Sequence, residues 1–207
     1  MQFTSERKAF DRLKSHCPSD SRKEFELASK ELILSYNTTI PENRFIVGGA
    51  MEVFVCALLR SSDVSAWLYG EQSHGGDIML PQDKKLSCKG TFTKGWSAVG
   101  LINIRGSGHR EWQHATLFIR SGTGIVYGDP TMVDPKEIKH SGDQTALSGK
   151  ALKELCNDPL NVMPLDIPFK PPSESTAASE VASRTVALEI LRNTQSSKLL
   201  DLAGKMF

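Results

Sequence analysis

Between Gly75 and Asp129 the chain is cut into short apolar runs separated by glycine-bearing turns, and runs of that length fit strands better than helices. Asp77–Leu80, Lys85–Lys89, Val99–Ile104 and Ala115–Arg120 read as strands, with Ile125–Tyr127 as a further one. Pro81-Gln82-Asp83-Lys84 supplies a turn between the first two. This block predicts a mixed sheet, which needs other elements to cover its faces.

The flanks carry the helical period. From Ser5 to Leu34, Phe10, Leu13, Phe25, Leu27 and Leu32 recur at helical spacing in a charged background, predicting two helices broken at Cys17-Pro18-Ser19-Asp20. Residues 37–43 read as a loop. Gly48 to Leu59 predicts a buried helix in which Glu52 is the sole charge. Ser148–Leu155 predicts a short helix, and the five prolines from Pro159 to Pro172 an extended stretch. Ser175–Leu202 predicts a long C-terminal helix, broken near Asn193–Ser197. The expected fold is α/β, a central mixed β-sheet flanked by helices, in one domain over residues 1–207. Its helices fall in 1–60 and 175–207 and its catalytic sheet in 75–130.

Composition narrows the function classes. A chain of 207 residues with 39% hydrophobic content can bury a core of useful size. No apolar run reaches the ~18–20 residues of a membrane span, and the charged first segment does not read as a secretion signal. The four cysteines form no C-x-x-C pair, which argues against structural zinc and for reduced thiols in a cytoplasmic protein. The net charge is only +1, so any nucleic-acid surface has to be a local basic one.

The chemistry concentrates in Gly75-Gly76-Asp77-Ile78-Met79-Leu80 and Lys85-Leu86-Ser87-Cys88-Lys89-Gly90. Strand alternation puts Asp77 and Met79 on one face, and Ser87 and Lys89 together opposite Leu86 and Cys88. A carboxylate beside a lysine amine is what metal-assisted phosphodiester hydrolysis requires. The acid holds a hard cation, and the amine orients water and offsets phosphate charge. Glu52 is a further candidate acid, because a charge in a buried helix is costly unless it is paired or binds a cation.

This arrangement resembles the PD-(D/E)XK nuclease motif of many type II restriction endonucleases: an acid at the start of one strand, then acid-x-Lys in the next. Asp77 matches the first acid, and Lys89, twelve residues later, matches the lysine. Ser87 stands where the second acid is expected, as in a subgroup cutting around a CCGG core that carries Ser-x-Lys, including Ser-Cys-Lys. The resemblance covers roughly Arg44 to Asp129 and implies a restriction-endonuclease-like fold. It places Glu52 as the helix-borne glutamate, the Cys88 backbone carbonyl toward the metal, and Mg²⁺ as cofactor. It implies hydrolysis of double-stranded DNA to a 5′-phosphate and a 3′-hydroxyl, by a homodimer in a bacterial or archaeal restriction–modification system. Ser87 itself reads as a structural hydroxyl, since no base is evident beside it.

The segment Asn103 to His114 supplies side chains suited to base edges and phosphates: Asn103, Arg105, His109, Arg110, Gln113 and His114. Glu111 in the same stretch is the second choice for the missing acid. Lys84, Lys85, Lys94 and Trp96 add basic and aromatic character. Arg44 is a further candidate DNA contact, or alternatively a partner for Glu52. Two rival readings stand beside restriction: a repair, phage or transposon nuclease with the same chemistry, and a non-catalytic DNA-binding module in which Ser87 marks a lost acid; a third, a protein-interaction domain without nucleic acid, predicts no salt-sensitive DNA binding.

Overall fold

In the computed structural model of the protein, the structure describes residues 2–36, 41–69, 77–102, 111–141, 144–170 and 183–205. Helices α1 (Thr4–His16) and α2 (Ser19–Ser35) are parted at Cys17-Pro18, where the proline keeps Cys17 extended at φ −61° and ψ 122°. Phe10, Leu13, Phe25 and Leu32 are fully buried. Leu27, expected on the same apolar stripe, instead faces solvent at 51% exposure.

Helix α3 (Pro41–Ser61) is longer than the apolar run that announced it. Proline at a first helical position has a φ already suited to the helix and lacks only an N–H that would go unused, so part of the expected loop, 41–43, is helical instead. Residues 37–40 lie outside the described residues. Every residue from Val53 to Leu59 is buried, as an apolar-all-round helix requires. It packs against α2, against β3 (Lys84–Thr91), and against two C-terminal helices, α5 (Ser183–Asn193) and α6 (Ser197–Gly204). The break between α5 and α6 falls where it was expected, with Gln195 in the left-handed region at φ 55°. Residues 171–182, the first part of the expected long helix, lie outside the described residues.

The main sheet has six strands. Beyond β3 they are β1 (Trp67–Leu68), β2 (Ile78–Leu80), β5 (Ala115–Arg120), β6 (Gly124–Gly128) and β9 (Val162–Pro164), in spatial order β1-β2-β3-β5-β6-β9. All pairings are antiparallel except β3 with β5, which is parallel, so the sheet is mixed as expected. It is wider than the expected 75–130 block, since β1 precedes that block and β9 follows it. The proline-rich stretch supplies the edge strand β9 after a 3-10 turn at Pro159–Asn161, so it is not extended throughout. Proline suits an edge because it has no N–H to donate to a further strand.

One expected strand lies elsewhere. β4 (Val99–Ile102) pairs with β8 (Gln144–Leu147), and β8 with β7 (Ile138–Ser141), in a separate three-stranded antiparallel sheet. The connection from β3 to its parallel neighbour β5 therefore passes through another sheet. That sheet and α4 (Gly149–Asn157) share an apolar cluster with Phe118 and Val126, two inward residues of the main sheet. The opposite face, with Leu86, Cys88, Leu117 and Ile119, joins the larger core built with helices α1, α2, α3, α5 and α6. The architecture is α/β, a mixed central sheet flanked by helices.

Candidate active site

The Pro81-Gln82-Asp83 turn, with Gln82 and Asp83 both at positive φ, folds β2 back on β3 in the register Ile78↔Leu86. That register sets Asp77, just before β2, beside the middle of β3. Three groups converge on one carboxylate oxygen, Asp77 Oδ2. The Ser87 hydroxyl donates to it at 2.8 Å, the Cys88 backbone N–H donates at 2.5 Å, and the Lys89 Nζ lies 3.7 Å away. Both Asp77 and Lys89 keep about a quarter of their side chains exposed, so the pair remains open to a ligand.

Cys88 takes part through its backbone. Its side chain is in the apolar core, and its thiol is pushed far up by burial, then by the charges of Asp77 and Glu52. A protonated thiol is a poor nucleophile, so Cys88 has no role as one. In an extended strand the N–H and C=O of one residue point to the same edge. The Cys88 carbonyl therefore faces the side on which Asp77 lies.

Glu52, on α3, lies within electrostatic reach of this cluster. Burial and the charge of Asp77 drive its carboxyl above the ordinary range, to about 8, against the opposing pull of Lys89 and Arg184. Arg44 is not among the charges acting on Glu52; it is exposed near the start of α3. Arg184, near the N-terminus of α5, was not foreseen as a contributor to the site. Gly49 explains its approach. A Cβ on Gly49 would come within 2.3 Å of Ser183 Oγ, so only glycine allows α5 this close, one helical turn from Glu52. A glycine three residues before a lone buried acid was the available signal.

The remaining candidates divide. His114 is half-buried just before β5, its pKa lowered first by burial and then by Lys85, with Asp77 pulling the other way. It therefore stands within electrostatic reach of the site. Gln113 and Glu111 are exposed, and Glu111 is not among the charges that act on Glu52 or Cys88. Lys94 is exposed on the irregular segment after β3. Lys85 stacks over the Tyr69 ring at 4.8 Å. Asn103, Arg105, His109 and Arg110 lie outside the described residues, as do Gly75 and Gly76.

The donor set bears on which cation fits. Among the described residues no group of three His, Cys, Asp or Glu side chains comes together to hold a metal. Among the described residues the closed tetrahedral set that zinc prefers is therefore not built. Two mutually repelling carboxylates, with a carbonyl facing the same side, fit a hard oxygen-seeking ion such as Mg²⁺. That ion commonly takes one or two carboxylates and keeps several waters. The repulsion that raises Glu52 is what a divalent cation would relieve. Compared with known proteins, the chain matches no family model, no curated protein and no solved structure.

Proposed function

We propose that the protein is a Mg²⁺-dependent endodeoxyribonuclease on a restriction-endonuclease-like fold, acting as a type II restriction enzyme. The observation that carries this reading is the convergence of Ser87, the Cys88 N–H and Lys89 on Asp77 Oδ2, with Glu52 coupled to the same group from α3. Asp77 and Glu52 would hold the cation, with the Cys88 carbonyl as a further oxygen ligand. When bound, the cation supplies Lewis-acid polarisation of the scissile phosphate and lowers the pKa of water. Ser87 and the Cys88 N–H fix the orientation of the Asp77 carboxylate. Lys89 orients the attacking water and offsets charge developing on the phosphate. The products are a 5′-phosphate and a 3′-hydroxyl. Cutting both strands of a palindrome calls for a homodimer, since two-fold protein symmetry mirrors two-fold site symmetry.

The test is incubation of the purified chain with unmethylated plasmid DNA and Mg²⁺. Discrete linear fragments are expected, lost on chelation and lost in Asp77→Asn. Intact plasmid under all Mg²⁺ conditions, with the protein folded and binding duplex, would leave the non-catalytic DNA-binding module as the reading.

A further inference from the structure

Arg120 ends β5 and is 3% exposed. Its Nη2 donates to the Gly95 carbonyl at 3.1 Å, whereas Nε and Nη1 are buried with no hydrogen-bond partner. Among the described residues no carboxylate pairs with it. The acidic group that acts on it is Cys156 of α4, whose thiol burial pushes up to about 11, so it is neutral near pH 7 and supplies no counter-charge. A buried cation with idle donors is costly, and the Gly95 carbonyl and the Trp96 ring face offset only part of that cost, leaving two donors unused among the described residues.

The cover over this cation is thin. The Trp96 ring lies 3.8 Å from the guanidinium carbon and is itself 40% exposed, so it covers Arg120 on one side and meets solvent on the other. The backbone beneath that ring is pinned: a Cβ on Gly149, the first residue of α4, would come within 1.9 Å of the Trp96 carbonyl oxygen. Thr93, on the same segment, also carries a buried hydroxyl without a partner.

The register relates this cation to the proposed active site. Lys89 pairs with Phe118 and Thr91 with Arg120, so Ser87, Lys89 and Arg120 share one face of the sheet. Strand spacings place the Arg120 and Lys89 Cα atoms about 8 Å apart. A planar guanidinium with free donors is suited to bidentate binding of a phosphate.

We propose that Arg120, with Trp96 as its movable cover, is an anion subsite that takes a phosphate group, in DNA a backbone phosphate next to the scissile one beside Lys89. The anion chemistry stands on Arg120 alone; DNA as its source rests on the nuclease reading.

The test is run in EDTA, so that cleavage does not intervene, with inorganic phosphate and a short DNA duplex as separate probes. Phosphate is expected to change tryptophan emission in the parent. Trp96→Phe should lose that change although Trp67 and Trp112 remain. Arg120→Lys, which keeps the charge but not the fork, should weaken phosphate binding about tenfold. For the duplex, Arg120→Gln should lower the slope of log K against log salt by about 0.9, the value of one phosphate contact, while Trp96→Ala leaves the slope unchanged. A phosphate response without duplex binding, in EDTA and also with Ca²⁺ in its place, would keep the subsite and remove the nuclease reading. Plasmid cleavage by the parent, with phosphate and duplex binding unaltered in every Arg120 and Trp96 variant, would overturn the subsite and leave the nuclease. Should Arg120→Gln not fold, Arg120→Lys and Trp96→Phe decide the matter.

Discussion

The Ser87 hydroxyl donates a 2.8 Å hydrogen bond to Oδ2 of Asp77, ten residues earlier in the chain. The residue standing where a second acid is expected thus serves the first one, by orienting its carboxylate. Ser87→Ala removes that donor but leaves the Cys88 N–H in place. A hydrogen bond to a charged group contributes about 1.5–3 kcal/mol when buried, and partial exposure of Asp77 reduces this to about 1 kcal/mol. Cleavage should fall about fivefold to tenfold, with circular dichroism unchanged. Full parental activity in Ser87→Ala would show that the bond does not orient the acid in the reaction.

Lys89 sits 3.7 Å from the same oxygen and keeps about a quarter of its side chain exposed. Lys89→Ala should lower single-turnover cleavage by about 10²–10⁴-fold, the range for a positioned group acting on the attacking water. Duplex affinity measured in Ca²⁺ should change far less. Cleavage within a factor of two of the parent would remove Lys89 from the chemistry.

Glu52 predicts a pH dependence of stability in the absence of metal. Its carboxyl is raised from 4.5 to about 8, so between those values the folded state holds a proton that the unfolded chain has released. Stability from this group is full below about pH 4.5 and is lost as pH rises through about 8. In EDTA, the melting temperature of the parent should therefore drop from pH 5 to pH 8.5 relative to Glu52→Gln, which lacks the titration. Divalent cation at pH 8 should recover the loss in the parent and not in the variant, since a ligand that binds only the folded state raises its stability. Parallel pH profiles for the two proteins would refute the burial and coupling of Glu52.

Gly49 predicts a coupling between α3 and α5. In Gly49→Ala the new methyl meets Ser183 Oγ at 2.3 Å and Ser183 Cβ at 2.7 Å. Alanine gains up to about 1 kcal/mol of helix propensity over glycine, but overpacking of this kind costs about 1–3 kcal/mol. The net expectation is a small loss of stability and a weaker influence of Arg184 on Glu52. Urea unfolding of Gly49→Ala, Ser183→Gly and the double variant should show strong non-additivity, because Ser183→Gly removes both clashing atoms. Additive effects would mean that the close approach is not what holds α5 in place.

Much of the local structure was legible from residue chemistry. Pro18 marked the end of α1, and the β-branched and apolar runs from Ala115 and Gly124 marked β5 and β6. Ile138–Ser141 and Gln144–Leu147 were missed because they alternate weakly. β7 is largely exposed, and it is held by pairing with β8 more than by an apolar face. Leu27 was misread for the opposite reason: it has the right spacing on α2, but nothing packs over that side of the helix in the described structure.

The sequence by itself determined the types of the strongly patterned elements and the interval from Asp77 to Lys89, because alternation, turn residues and proline act over a few residues at a time. That interval made a shared site for Asp77, Ser87 and Lys89 legible before any fold was known. Only the tertiary structure decided that Asp77 and Arg184 both act on Glu52, that β4 leaves the main sheet, and that Arg120 lies buried beneath Trp96. Each of these depends on which distant surfaces exclude water together. Such long-range packing follows from the whole core and leaves no period or spacing in the chain.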